Sequence, residues 1–229
     1  MATLAMTCHT AGGGQPTAVT VGQLVIAGWT GRDAEALEKH IRELEAIGVP
    51  RPKTTPIFYR VGASLLTTAD EIQVIGGDSS DEVEFVLFSL PEGLWVGVGS
   101  DHTDRKAEAS GVTLSKQLCP KPVGAALWRY ADLAPHWDRL VLRSFAHVGG
   151  VRRLYQEGPV SAMRHPEELM KLYDGDRAEL KAGCAMFGGT LAVTGAIEPA
   201  AAFEIELDDP VRGRKLAHRY RVTQLPVEG

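Results

Sequence analysis

The sequence has few cysteines, no excess of positive charge and no long apolar run. Only Cys8, Cys119 and Cys184 occur in 229 residues. An odd number at wide spacing argues against a disulfide framework and favours a reducing compartment such as the cytoplasm. None has the CxxC spacing of a structural zinc site. Lys and Arg number 24 against 29 Asp and Glu, so the chain lacks the concentrated basic surface that nucleic-acid binding requires.

Insertion into a membrane and export are not expected either. No apolar run approaches the roughly 18–20 residues that cross a bilayer. The first eight residues lack the basic start and the apolar stretch of a signal peptide. The apolar content of 44% and the charged content of 23% are ordinary for a soluble protein. We therefore expect a soluble, cytoplasmic protein with no membrane partner and no nucleic-acid partner.

Several common catalytic motifs are missing. The glycine-rich stretches form neither GxGxxG nor a P-loop between a strand and a helix. The GxSxG motif of a serine hydrolase is absent. Cys8 and Cys119 could act as thiol nucleophiles, but a buried or incidental cysteine explains each of them more simply.

The apolar patterns predict more strands than helices. We expect strands at 24–29, 57–60, 72–76, 82–88, 94–99, 140–145, 203–207 and 219–222. One helix should begin after an Asp33 cap and run to about Ile47, and another should begin near His165. Gly12–Pro16 is interpreted as a loose stretch. Because helices do not alternate regularly with strands, the pattern favours an α+β or mostly-β fold over a parallel βαβ fold.

Two glutamates open a strand that is apolar on both faces. In Glu82-Val83-Glu84 the two acids point the same way, because side chains alternate along a strand. Two carboxylates at the edge of a dry core are costly unless they are neutralised. A divalent cation with oxygen ligands, Mg²⁺ or Mn²⁺, would neutralise them. The alternative is that these first residues of the strand simply face water.

Further candidates follow along the chain. Asp101 comes directly after an apolar strand, where it could complete an all-oxygen site or belong to a polar turn. Lys116 could stabilise an oxyanion beside a metal, or it could be a solvated lysine. His40 and Glu43 share a helix flank, as a base and the acid that orients it or as an ordinary surface pair.

In order along the chain, these pieces resemble the fumarylacetoacetate hydrolase superfamily, in particular an uncharacterised bacterial branch of it. The resemblance runs from about Gly28 to Leu225. The matching segments are Gly31-Arg32-Asp33 with His40 and Glu43 for the lid motif, Glu82-Val83-Glu84 for ExE, Asp101 to Arg105 for DxTxR, Lys116 for the family lysine and Leu180 to Leu191 for the late glycine turn.

The resemblance implies a mixed β-roll or β-sandwich, mostly β with few helices, in a protein that is usually a homodimer. It implies a single domain over 1–229, with residues 1–55 as N-terminal arm and lid helix and 56–229 as the core that carries the metal. Mg²⁺ or Mn²⁺ would be held by Glu82, Glu84 and Asp101. The expected catalytic residues are His40, Glu43 and Lys116, and the expected substrate contacts are Arg60, Arg105, Gln117, Gly189 and Thr190.

The activity that the resemblance implies is hydrolysis of a C–C bond in a small β-diketo or 2-oxo acid through a metal-bound enolate. A hydratase, decarboxylase or isomerase would use the same site. A non-catalytic metabolite-binding protein is a third possibility, because Cys184 and Gly188 depart from the late-turn motif. Tyr59-Arg60 stands where Phe-x-Lys is common, so the distal end of the substrate should be recognised differently.

Overall fold

A computed structural model describes residues 1–10, 12–46, 51–175 and 178–228. The side chains of His40, Glu43, Leu44 and Ala46 are outside this description, although their backbone belongs to a helix. The strands are β1 (Ala2–Thr10), β2 (Gly13–Val21), β3 (Gln23–Gly28), β4 (Ile57–Val61), β5 (Leu66–Thr67), β6 (Glu71–Ile75), β7 (Ser79–Ser80), β8 (Val83–Leu90), β9 (Gly93–Ser100), β10 (Thr103–Asp104), β11 (Lys121–Pro122), β12 (Ala126–Arg129), β13 (Val141–Val148), β14 (Val151–Pro159), β15 (Cys184–Phe187), β16 (Ala202–Asp209) and β17 (Arg214–Leu225). The helices are α1 (Ala34–Ala46), α2 (Arg105–Glu108), α3 (Val112–Leu118), α4 (Tyr130–Leu133) and α5 (Pro166–Asp174), and 3-10 turns occur at Ala63–Leu65, Ala134–Arg139 and Val160–Ala162.

Two mixed sheets form the body of the structure. The larger sheet has eight strands in the order β2-β1-β12-β9-β8-β15-β3-β4, and the smaller has five in the order β14-β13-β16-β17-β6. The pairs β1–β12, β15–β3 and β17–β6 are parallel, whereas the other pairs in these two sheets are antiparallel. No helix in the described ranges is long and apolar enough to cross a bilayer.

The two sheets pack against each other through alternate residues of the central strand β8. Phe85 and Leu87 share an apolar core with Phe203 of the smaller sheet. Val86 and Phe88 point the other way, into a second core on the opposite face of the larger sheet. Every residue of β8 is buried, as its two apolar faces predict. The mostly-β, mixed β-sandwich class expected from the sequence is confirmed.

Helix α1 follows the predicted start signal. The Asp33 carboxylate accepts hydrogen bonds from the backbone of Glu35 and Ala36, at 2.9 and 3.0 Å, so it caps the helix as expected. Ile41 is only 4% exposed, which agrees with the predicted apolar face. The helix is described from Ala34 to Ala46, and its predicted end at about Ile47 lies outside the described residues.

The prediction of a loose stretch at Gly12–Pro16 is wrong for residues 13–16. Strand β2 begins at Gly13 and pairs antiparallel with β1, so that Pro16 lies opposite Thr7. The missing N–H of Pro16 is tolerated because β2 is the edge strand of the sheet. Residues 2–28, within the segment expected to be an N-terminal arm, thus supply three strands of the larger sheet.

Candidate metal centre

The three predicted metal ligands meet at the open end of the hairpin formed by β8 and β9. Val83 lies opposite Ser100 in the ladder, and the Asp101 N–H donates to the Glu82 carbonyl at 3.0 Å just beyond it. Alternation along each strand then places Glu82, Glu84 and Asp101 on one face of the sheet. Carboxylate oxygens from these three residues lie within 4.8 Å of one another. We call them the carboxylate cluster.

Lys116, predicted from its spacing after Asp101, reaches this cluster from α3. It is 6% exposed, and its Nζ donates to Glu82 Oε2 at 3.1 Å and to Asp101 Oδ2. Gln117, the next residue, accepts the Gly62 N–H at 2.8 Å and so fastens α3 to the end of β4. Burial would lower the pKa of Lys116, but the charges of Asp101 and Glu82 outweigh that effect and raise it. Lys116 therefore stays an ammonium ion at the cluster.

Two further cations surround the cluster, one of them not anticipated from the sequence. Arg105, at the start of α2, donates to Glu82 Oε1 at 2.7 Å and to Ser80 Oγ at 2.6 Å. Lys121 is fully buried, with its Nζ 2.8 Å from Asp101 Oδ1. Burial opposes ionisation of Glu82, yet the charges of Lys116 and Arg105 outweigh it and lower the pKa of that carboxyl group.

Glu84 differs from the other two acids because no described cation forms an ion pair with it. Its Oε2 accepts the Gly189 N–H at 2.5 Å, and its side chain is almost fully buried. Burial, together with the charges of Asp101 and Glu82, raises its pKa well above the usual range. The cluster therefore contains one buried carboxyl group that has no ion-pair partner among the described residues and whose ionisation is disfavoured.

The donor set and its spacing fit a hard divalent cation. Mg²⁺ takes oxygen ligands at about 2.1 Å, so ligands on opposite sides of it lie about 4.2 Å apart. Because one oxygen of each of the three carboxylate groups lies within 4.8 Å of the others, a single cation could contact all three. A cation would also pair with Glu84, which has no ion-pair partner among the described residues. Zinc would more usually take histidine or cysteine ligands.

The late glycine turn positions Glu84 and the start of β8. A Cβ on Gly188 would lie 2.0 Å from Phe85 Cζ, so only glycine fits there. Gly189 has a φ of +102° and presents its N–H to Glu84. Thr190 Oγ1 donates to the Val83 carbonyl at 2.9 Å. The donors predicted to contact substrate from Gly189 and Thr190 thus hold the ligand strand in this structure.

The structure does not bring every predicted residue to the cluster. Arg60 lies on the opposite face of β4, where its guanidinium donates to the Tyr173 hydroxyl at 3.4 Å. Tyr59 points to the face that carries the cluster and packs with the core on that side. The side chains of His40 and Glu43 lie outside the described residues, so the lid pair stays a prediction.

Lys121, Gln156 and Tyr59 are the site residues that sequence reasoning missed. Gln156, which is 1% exposed, accepts the Val83 N–H at 2.9 Å and donates to Thr190 Oγ1 at 2.9 Å. It thereby ties the start of β8 to the glycine turn. Strand alternation could have identified Tyr59, because it predicts opposite directions for Tyr59 and Arg60. Lys121 and Gln156 reach the site through long-range pairing that leaves no local signal.

The comparisons with known proteins concern the fold and the family. A protein from Oleispira antarctica provisionally assigned as a fumarylacetoacetate isomerase/hydrolase has a TM-score of 0.68 and 19% identity over 97% of this chain and 100% of its own. A provisional fumarylpyruvate hydrolase from Burkholderia cenocepacia has a TM-score of 0.61 and 20% identity, over 99% of this chain and 97% of its own. The 5-carboxymethyl-2-hydroxymuconate delta-isomerase from Mycobacterium smegmatis has a TM-score of 0.63 and 14% identity, over 94% of this chain and 82% of its own. These identities support the shared fold alone.

At the level of sequence, no curated protein matches this chain. A family model described as "Protein of unknown function (DUF2848)" does match the chain, over residues 27–220. That segment contains all three members of the carboxylate cluster as well as Lys116. The chain therefore belongs to the DUF2848 family, and its fold is the one seen in fumarylacetoacetate hydrolase family proteins.

Proposed function

We propose that the protein is a divalent-metal-dependent hydrolase that cleaves a C–C bond in a small β-diketo or 2-oxo acid. The observation that carries the proposal is the convergence of Glu82, Glu84 and Asp101, of which Glu84 has no ion-pair partner among the described residues. These three residues would hold Mg²⁺ or Mn²⁺. The names of the structural neighbours, a fumarylpyruvate hydrolase and an isomerase of a hydroxymuconate, support an oxo acid as substrate.

The metal, when bound, would polarise the adjacent oxygens of such an acid and favour negative charge there. Lys116 would add a fixed positive charge beside those oxygens, because its ammonium already lies against Glu82 and Asp101. Arg105 and Lys121 would hold Glu82 and Asp101 in place through their ion pairs. Gly189 would hold Glu84 in place through its N–H.

The hydrolytic step would need a base, and the lid pair supplies the candidate. His40, oriented by Glu43, would take a proton from water as the water oxygen adds to the distal carbonyl carbon. The C–C bond would then break, its electron pair passing to the carbon of the 2-oxo acid fragment, which takes up a proton. The products would be a carboxylic acid and a smaller 2-oxo acid. From the resemblance to the fumarylacetoacetate hydrolase superfamily we also infer that the protein is a cytoplasmic homodimer and that α1 is its lid helix.

Hydration, decarboxylation or isomerisation could use the same cluster without a hydrolytic water. The isomerase among the structural neighbours favours this second possibility. A metabolite-binding protein without activity is the third, and the donors of Gly189 and Thr190, already engaged within the protein, favour it. Turnover separates these alternatives, because only the hydrolase produces two acids from one.

The first test is thermal unfolding with Mg²⁺ or Mn²⁺, alone and with oxalate or pyruvate. A ligand that binds only the folded state raises Tm with its concentration. We expect a rise in the wild type that Glu82→Ala/Glu84→Ala lacks, while Glu157→Ala, which removes a partly exposed acid, keeps it. No rise in the wild type, with no metal in the purified protein, would contradict the proposal.

The second test assays acylpyruvates for hydrolysis in lid variants. His40→Ala and Glu43→Ala should lower kcat by about 100-fold or more, the contribution of general base catalysis, with metal affinity unchanged. Arg42→Ala, on the same helix with an exposed side chain, serves as the control. Full activity in both lid variants would show that the pair is not the base.

A further inference from the structure

A tryptophan in a left-handed backbone conformation follows the end of β3. Trp29 has a φ of +59°, and among the described residues it is the one non-glycine residue whose φ is positive. Bulky side chains rarely adopt this strained region, and they do so only where surrounding contacts hold them there. The residues on both sides of Trp29 show what holds it.

The two neighbours of Trp29 in the chain are closely packed: Gly28 lies against Tyr59, and Thr30 lies against Gly189 of the glycine turn. A Cβ on Gly28 would lie 2.7 Å from Tyr59 Cε2, so the absence of a side chain there makes room for the Tyr59 ring. On the other side of Trp29, a Cβ on Gly189 would lie 1.8 Å from Thr30 Oγ1, so Thr30 packs directly against the glycine turn. The same Gly189 donates its N–H to Glu84. Trp29 is therefore built into the segment that holds a predicted metal ligand.

Trp29 and Tyr59 form a paired aromatic surface beside the carboxylate cluster. The indole Nε1–H donates to the Tyr59 hydroxyl at 3.2 Å. Tyr59 lies on the face of β4 that carries the cluster, and Gln117 of α3, the neighbour of Lys116, is hydrogen-bonded to Gly62 at the end of the same strand. Trp29 is half-buried, whereas the other three tryptophans are less than 7% exposed. It is thus the tryptophan best placed to meet a ligand.

The cations that contact the cluster all face its own acids. Lys116, Lys121 and Arg105 each pair with Glu82 or Asp101. Arg60, which was expected to contact the substrate, lies on the other face of β4. The cations at the cluster are therefore already paired with its acids, and the described groups next to them include the aromatic pair of Trp29 and Tyr59.

We propose that Trp29 and Tyr59 are specificity-determining residues, and that the site takes a 2-oxo acid whose distal end is a planar apolar group instead of a second carboxylate. This inference rests on the proposed function, because the 2-oxo acid end must bind at the metal. The rings would stack on the distal group, and such aromatic contacts strengthen binding by about twofold to tenfold beyond the effect of buried area. Their mutual hydrogen bond keeps both rings in one orientation.

Titration calorimetry of the Mn²⁺-loaded protein with pyruvate, oxaloacetate and phenylpyruvate tests the inference. Phenylpyruvate should bind about tenfold more tightly than oxaloacetate. Trp29→Ala and Tyr59→Leu should each weaken phenylpyruvate binding about fivefold to tenfold and leave pyruvate binding within about twofold. Trp29→Phe should restore most of the affinity, and it serves if Trp29→Ala fails to fold. Arg60→Ala should leave oxaloacetate binding unchanged.

The outcomes separate this inference from the proposed function. If pyruvate binds in a Mn²⁺-dependent way but phenylpyruvate binds no more tightly than oxaloacetate, the specificity proposal is overturned and the metal site stands. A loss of oxaloacetate binding in Arg60→Ala would overturn it too, because a cation would then read a distal carboxylate. If none of the three acids binds to the loaded protein, both proposals are overturned.

Discussion

Two buried polar groups of residues occupy opposite faces of the same hairpin end. On one face lies the carboxylate cluster. On the other lies a network that we call the tyrosine network, made of Asp81, Ser100, His102 and Tyr220. The Tyr220 hydroxyl donates to Asp81 Oδ1 at 2.9 Å, and it also lies 2.9 Å from Ser100 Oγ and 3.1 Å from His102 Nδ1. Residues that are adjacent in the chain, such as Asp81 and Glu82, thus lie in two different environments.

The two faces differ in how they treat negative charge. Burial raises the pKa of Asp81 to about 6, although the hydroxyl groups of Ser100 and Tyr220 favour its charged form. The tyrosine network contains a single acid among uncharged partners. The carboxylate cluster contains three acids and three cations, and the cations pair with Glu82 and Asp101, while Glu84 has no ion-pair partner among the described residues. The convergence of three carboxylates, rather than burial or polarity, distinguishes the face that can bind a metal.

The largest effect on stability should come from Lys121→Met. Lys121 is fully buried against Asp101 and donates to the His102 carbonyl at 2.6 Å, so its loss leaves a buried charge with one partner fewer. We expect the free energy of unfolding to fall by about 3 kcal/mol, measured by urea titration. Lys215→Met is the control, because Lys215 is 48% exposed in its pair with Glu206, and it should cost at most about 1 kcal/mol. Equal losses would contradict the account.

Glu84→Gln should change stability in the opposite direction. In protein stripped of metal with EDTA at pH 7, the substitution removes an acid whose pKa is raised by burial and by Asp101 and Glu82, and such an acid lowers stability above its unfolded pKa. The free energy of unfolding should rise by about 2 kcal/mol, again by urea titration. A destabilised Glu84→Gln protein would show that the described contacts already compensate this carboxylate.

Tyr220→Phe tests the other face. It removes the hydroxyl that joins Asp81, Ser100 and His102 and leaves the ring in the core. We expect a loss of about 1–2 kcal/mol, as for one buried hydrogen-bonding group. Mn²⁺ affinity, measured by calorimetry, should change by less than about threefold. If Mn²⁺ binding is lost while the protein stays folded, the two faces are not independent.

The smallest effect should come from an acid whose charge is well compensated at the surface. Burial opposes ionisation of Glu204, but Arg152 and His147 outweigh it and lower its pKa. A lowered folded-state pKa stabilises the protein above the unfolded pKa, and this stability is lost as the pH falls through the folded value. Glu204→Gln should therefore cost about 0.5 kcal/mol at pH 7 and less at pH 3. A larger cost at pH 3 would contradict this sign.

The sequence predicts the face of the cluster because strand alternation is local. Glu82 and Glu84 differ by two positions, and Asp101 directly follows the next strand, so their convergence follows from one hairpin. The Asp33 cap of α1 is local in the same way. Such features depend on neighbouring residues alone.

What the sequence does not predict depends on pairing between distant segments. Lys121 comes to Asp101 because β11 pairs in parallel with β5, and no spacing rule indicates that pairing. The hairpin of β1 and β2 contains glycines and a proline that suggest a loop, yet an edge strand tolerates them. Arg60 was assigned by motif position, whereas the alternation of β4 directs Tyr59 to the site instead.

The central claim is that the carboxylate cluster binds one divalent cation per chain and that Glu84 is essential to this binding. Electron paramagnetic resonance of free Mn²⁺ measures this directly in a titration of the metal-stripped protein. We predict about one tightly bound Mn²⁺ per chain in the wild type and in Glu92→Gln, which changes an exposed acid at the other end of the hairpin. Glu84→Gln should weaken that binding by about 100-fold. Unchanged Mn²⁺ binding in Glu84→Gln, or no binding in the wild type, would contradict the account.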